Sequence, residues 1–155
     1  FIGAYRVDQR PKLARAAATG RPIRVDGSRN TFDFTFIDDV VDGMVALVQK
    51  LRDGQAALPP VHFVSGEPTT LGQLAALAQT IARNECKVEE APPRDFDVAH
   101  FTGDPSRALE LLGWRATVGI RDGLARLIGA FRELDTLAAA GTGTAAAPAT
   151  ELTAG

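Results

Sequence analysis

A chain of 155 residues, 45% apolar and 23% charged, has the size and make-up of one ordinary globular domain. With 17 basic against 19 acidic residues, a net charge of −2 and no basic stripe, it lacks a phosphate-backbone footprint, which excludes nucleic-acid binding. Its single cysteine, Cys86, rules out an intrachain disulfide and a thiolate zinc site and suits a reducing cytoplasm. No apolar run reaches the ~20 residues of a membrane span, and no basic-then-apolar segment opens the sequence.

The opening Phe1-Ile2-Gly3-Ala4-Tyr5 reads as the end of a strand, and its first residue, not a Met, suggests processing or a piece of something longer. Pro11 suits the first turn of a helix that the Ala-rich run to Thr19 continues and Gly20 stops. Residues 22–25 read as a short strand closed by the Asp26-Gly27 turn. Residues 31–36 alternate polar with aromatic, the period of a strand with one buried face. Asp38 is then a candidate N-cap for a helix with Val40, Val41, Met44, Leu47, Val48 and Leu51 at three- and four-residue spacing. On that stripe Met44 reads as core filler, and Gly54 closes the helix.

Residues 61–64 form the next expected strand. Thr70 and Gln73 have capping-box spacing ahead of the helical stripe Leu71, Leu74, Leu77, Ala78 and Ile81. Ala91-Pro92-Pro93 opens a loop to about Thr102, Asp104-Pro105 reads as N-cap plus first turn of a short helix, and Gly113 ends it. Trp114 is expected as a core anchor. Leu124, Leu127, Ile128, Phe131 and Leu134 mark a last amphipathic helix. Residues 138–155 collapse to Ala, Thr, Gly and Pro, too little apolar surface to offset ordering entropy, and are expected to be a disordered tail behind a domain of residues 1–137. Short strands alternating with helices give an α/β class.

Four stretches in order resemble the extended short-chain dehydrogenase/reductases, the NAD-dependent nucleotide-sugar epimerases and dehydratases. They are Gly20-Arg-Pro-Ile-Arg-Val-Asp-Gly27, Phe32-Asp-Phe-Thr-Phe-Ile-Asp-Asp-Val-Val-Asp-Gly43, Val61-His-Phe-Val-Ser-Gly66 with Thr69-Thr-Leu71, and Arg94-Asp-Phe-Asp-Val98 with Asp104-Pro-Ser-Arg-Ala108 to Leu111-Leu-Gly-Trp114. The resemblance covers residues 20–125 and implies the C-terminal, substrate-binding half of such an enzyme. The N-terminal dinucleotide-binding half would be missing, with NAD(P) bound there.

The cofactor fingerprint Gly-x-x-Gly-x-x-Gly does not occur; Gly141-Thr-Gly143 lacks a third glycine and a preceding strand. The family's acid/base is a Tyr with a Lys four residues on, whose charge lowers the phenol pKa. Tyr5 is the only tyrosine and Gln9 stands where the Lys would, so Tyr5 reads as a packing aromatic and no catalytic residue is assigned. The chain alone is therefore expected to be inactive and to bind no NAD.

On the substrate side a nucleoside diphosphate asks for bidentate, permanently charged donors, a role suited to Arg. The resemblance puts Arg94 at one such position. The other family arginine is Phe32 here, which leaves Arg29 on the nearby turn as its stand-in. Asp26 replaces an aromatic that contacts the base, and His62 replaces an Asn. Asp38 and Asp39, at a helix start, favour capping and dipole complementation over acid/base work. His62 and His100 are too isolated for a metal site. The expected partners are a nucleotide-sugar and the missing half or a second chain carrying it, with a homo-oligomer open. A stand-alone, non-catalytic binding or regulatory module and a structural oligomerisation piece remain as alternatives.

Overall fold

Gly113 shows how local chemistry cuts this chain into elements: it ends a helix at φ 64°, a conformation that costs a residue with a Cβ but not glycine. The computed structural model describes residues 9–55, 57–83, 86–95 and 97–141. In order they form α1 (Gln9–Thr19), β1 (Ile23–Asp26), β2 (Thr31–Asp33), α2 (Ile37–Arg52), β3 (Pro68–Thr70), α3 (Leu71–Ile81), β4 (Val88–Ala91), α4 (Ser106–Leu112) and α5 (Ile120–Gly141). Strand β1 pairs in parallel with β4, Ile23 opposite Val88 and Asp26 opposite Ala91. Strand β2 pairs antiparallel with β3, Thr31 opposite Thr70. A parallel pair needs a crossover, and α2 and α3 lie between its two strands in sequence. The α/β class holds. Tyr5 and residues 142–155 lie outside the described residues, while α5 runs to Gly141, into the segment expected to be a tail.

The main core gathers Leu13, Ala14 and Ala17 of α1, Ile23 and Val25 of β1, Leu74, Ala75 and Ala78 of α3, and Leu124 and Ile128 of α5. Alanines at the helix contacts let the backbones approach closely around Ile23 and Ile128, each only 1% exposed. The capping box forms as the sequence predicts. The Thr70 hydroxyl accepts from the Gln73 N–H at 3.1 Å, and the Gln73 side-chain Oε1 accepts from the Thr70 N–H at 2.8 Å.

A second, smaller cluster holds Val40, Phe63, Ala108 and Trp114. Trp114 is the expected anchor: its ring meets Phe63 edge-on at 5.0 Å, and its Nε1–H donates to the Asp39 carbonyl at 2.7 Å. Gly43 permits this, since a Cβ there would stand 2.5 Å from the Phe63 ring.

Several expectations are corrected here. Phe36, not Asp38, is the N-cap of α2, with no side-chain cap, so Asp38 sits in the first turn. Asp39 serves the tertiary fold: its carboxylate accepts from Thr117 N–H (3.1 Å), Thr117 Oγ1 (2.8 Å) and Val118 N–H (3.0 Å). Met44 is not core filler; it is 55% exposed, and Val41, Val48 and Leu51 share its outward face. Only Thr31–Asp33 of the expected 31–36 strand joins a ladder. Residues 61–64 are not a strand, and among the described residues no backbone hydrogen bond reaches them, although Phe63 and Val64 are buried. Strands β3 and β4 are additions that the sequence did not announce. Asp104 does cap α4 by accepting from Ser106 N–H at 2.9 Å, one residue earlier than the helix bounds imply. No helix among the described residues is long and apolar enough to cross a membrane.

Candidate functional site

Alternation along β1 turns Ile23 and Val25 into the core and leaves Arg24 and Asp26 on the other face. At the end of the neighbouring strand β4, Pro92-Pro93 stiffens the chain before a tight turn in which Asp97 N–H donates to the Arg94 carbonyl at 3.0 Å. The Asp97 carboxylate accepts from the Arg94 N–H at 3.2 Å and from its Nε at 3.3 Å. Parallel pairing thus brings Arg94 over the end of β1, where its Nη2 lies 3.3 Å from the Asp26 carboxylate. This second contact is a Coulombic pairing rather than a directed hydrogen bond. On the other Asp26 oxygen, Arg24 Nε donates at 2.8 Å.

Asp26 is therefore a carboxylate with a 10% exposed side chain bridging two guanidiniums. Its hydrogen bond, then its charge, hold the Arg24 pKa above the ordinary value. Together with Lys12, Leu13, Ala16 and Pro22 these groups line a cavity of about 230 Å³. The cavity thus carries the cationic side chains of Lys12, Arg24 and Arg94, with Asp26 among them and Asp97 paired to Arg94, and guanidiniums of this kind suit an anionic ligand.

Of the sequence candidates, the structure brings Arg94 and Asp26 together and separates the rest. Arg29 is exposed and lines a different cavity of about 400 Å³, between the Gly27–Asn30 turn and residues 90–93. The Phe32 ring packs edge-on against Phe34 at 6.1 Å beside the main core. His62 is exposed near Asp104, at the start of α4. Sequence reasoning missed Arg24, Lys12 and Asp97. Only the i, i+3 spacing of Arg94 and Asp97 could have been noticed beforehand. Another acidic residue of the resembling motifs, Asp33, is structural: it accepts from Ser65 N–H and Oγ and from Gly66 N–H at 2.7–2.8 Å, joining β2 to residues 65–66.

A third cavity, also about 230 Å³, is apolar and lies between the start of α2 and α5, lined by Phe34, Ile37, Val40 and Leu124 among others. Among the described residues no group of three or more His, Cys, Asp or Glu side chains is arranged to hold a metal.

No family model matches the chain. It is 32% identical over 123 residues to a UDP-glucose 4-epimerase of Mycolicibacterium smegmatis, matching 77% of this chain and 37% of that enzyme. It is 31% identical over 113 residues to a UDP-glucuronic acid decarboxylase of Arabidopsis thaliana, matching 72% of this chain and 24% of that protein. Among solved structures, an epimerase of Methanothermobacter thermautotrophicus superposes with a TM-score of 0.76 at 26% identity, covering 86% of this chain and 39% of that one. A Bordetella bronchiseptica enzyme solved with NAD+ and UDP gives 0.64 at 29% identity, covering 87% and 38%. The two curated relatives are a UDP-sugar epimerase and a UDP-sugar decarboxylase, in keeping with the resemblance to the extended short-chain dehydrogenase/reductases. The chain corresponds to the C-terminal part of such an enzyme and spans about two fifths of the solved chains it matches.

Proposed function

We propose that the chain is the nucleotide-sugar-binding portion of an NAD-dependent epimerase or dehydratase and is not catalytic by itself. The observation that carries this is the cavity at the end of β1, where Arg94 reaches over Asp26 in a chain similar to enzymes of nucleotide-sugars. Arg94 is the diphosphate contact: Asp97 anchors its Nε and backbone, and Arg94 lines the cavity. This chain's own residues do not fit the dinucleotide, because neither the glycine fingerprint nor a Tyr-x-x-x-Lys pair exists in it. NAD(P), which supplies the hydride chemistry in this reading, belongs to a dinucleotide-binding half outside the span matched here.

The seat for that half is the outer face of α2. Ile37, Val41, Met44, Val45, Val48 and Leu51 are each about half exposed, 48–55%, along one side of the helix. Segment 61–64, which packs on the inner side of α2 through Phe63, has no backbone hydrogen bond among the described residues and suits an edge to which a strand adds. The remaining three fifths of the solved relatives' length supports a large occupant.

Titration with UDP, the ligand present in the Bordetella structure, tests the site. Arg94→Ala should lose about 1.5–3 kcal/mol of affinity, the worth of hydrogen bonds to a charged group. Arg94→Lys should recover only part, because an ammonium cannot span two phosphate oxygens as a fork does. Equal affinities for all three proteins would remove Arg94 from the site.

A further inference from the structure

Two guanidiniums are the usual answer to a diphosphate's charge, and the position that resembles the family's second arginine is Phe32, whose ring is committed to packing against Phe34. Arg29, three residues away in sequence, opens onto the separate cavity by Gly27, Ser28 and Asn30. Arg24 is different. It lines the same cavity as Arg94, and both hold the same carboxylate, Arg24 Nε on Oδ1 at 2.8 Å and Arg94 Nη2 on Oδ2 at 3.3 Å.

We propose that Arg24 is the second diphosphate donor, standing beside Arg94 with Asp26 as the positioning residue between them; this rests on the reading of Arg94 as a diphosphate contact. Adjacent guanidiniums repel unless an anion lies between them. Asp26 fills that place on the protein side, and a bound diphosphate fills it on the open side. Lys12 lies on the wall of the same cavity, which places three cationic side chains around it, with Asp26 in the lining and Asp97 paired to Arg94 behind it. The Arg24 side chain is 73% exposed, so it can turn toward a ligand without disturbing the core. Asp97 meanwhile keeps Arg94 in place from behind.

Calorimetric titration of UDP into the chain and into Arg24→Ala, Arg24→Lys, Arg29→Ala and Arg94→Ala, at one fixed ionic strength, tests this. Arg24→Ala and Arg94→Ala should each weaken binding about tenfold or more, with Arg24→Lys recovering part and Arg29→Ala staying within about twofold. Thermal melts should keep Arg24→Ala folded. If Arg94→Ala weakens binding and Arg24→Ala does not, the second-donor role falls while the site stands. A loss on Arg29→Ala with Arg24→Ala silent would hand the role to Arg29. No effect from any variant, or no binding of UDP by the unaltered chain at millimolar concentration, would overturn the underlying reading of Arg94.

Discussion

In α3 the apolar positions Leu74, Ala75 and Ala78 turn inward against α1 and β1, whereas in α2 most of the bulky ones turn outward. The two helices follow the same periodic rule, and α2 even carries the longer stripe. Yet its inner face consists of Asp39, Val40 and Gly43, and beyond α4, Phe63 and Trp114 it has little to pack on. The difference shows what a periodic apolar stripe encodes. It states that a helix face will be covered, without saying that the cover lies in the same chain.

The contrast can be broken directly. Ile128→Ala, in the main core, should cost about 2–5 kcal/mol in urea unfolding, because the surrounding helices close only part of the cavity it leaves. Val48→Glu, on the outer face of α2, should stay within about 0.5 kcal/mol in the same measurement and should reduce binding of a hydrophobic dye. A loss for Val48→Glu as large as that for Ile128→Ala would mean that the outer face is already covered. A dimer that depends on concentration and dissociates in Val48→Glu would make a second copy the occupant.

The two regions are joined by a polar tether. The Asp39 carboxylate, on a residue 4% exposed, takes three hydrogen bonds from Thr117 and Val118, just ahead of α5. Asp39→Ala would leave those donors without their acceptor and should cost about 1–3 kcal/mol. If the tether couples the regions, the denaturation profile of this variant should also broaden as α2 and α4 come loose first. A variant as stable as the parent would show that water replaces the carboxylate without loss.

Much of the fold was legible because its signals are local. The Thr70–Gln73 box and the stops at Gly20 and Gly113 depend on residues within one turn of each other. Strands β3 and β4 were not legible: three or four residues, Pro-Thr-Thr and Val-Glu-Glu-Ala, carry no alternation, and only pairing with β2 and β1 makes them strands. The site divides in the same way. Arg94 stood out through its motif, but Arg24 and Asp26 meet it only because β1 and β4 run in parallel, a tertiary fact. Phe32 and His62 also hold motif positions, and the structure sets one against Phe34 and the other near Asp104 at the start of α4, away from Arg94.

The smallest expected effect lies at the start of α4, within the looser region, and is a pH dependence. The Ser106 side chain, then the Ser106 N–H that donates to the Asp104 carboxylate at 2.9 Å, hold its carboxyl pKa below the ordinary value, with Arg107 and His62 adding in the same sense. A carboxyl whose folded pKa is depressed binds its proton more readily in the unfolded chain. Its contribution is therefore fully present above the unfolded value, about 3.9, and is lost as pH falls through the lower folded value. Because the group is fully exposed, solvent screens the interaction and the contribution is small. Asp104→Ala should thus melt slightly below the parent at neutral pH, and the gap should narrow as pH falls below about 4. Melts at a series of pH values and constant ionic strength read this directly. A gap that stays constant through the acid range would mean that Asp104 acts on α4 through shape alone, and that its charge contributes nothing to holding this end of the second cluster.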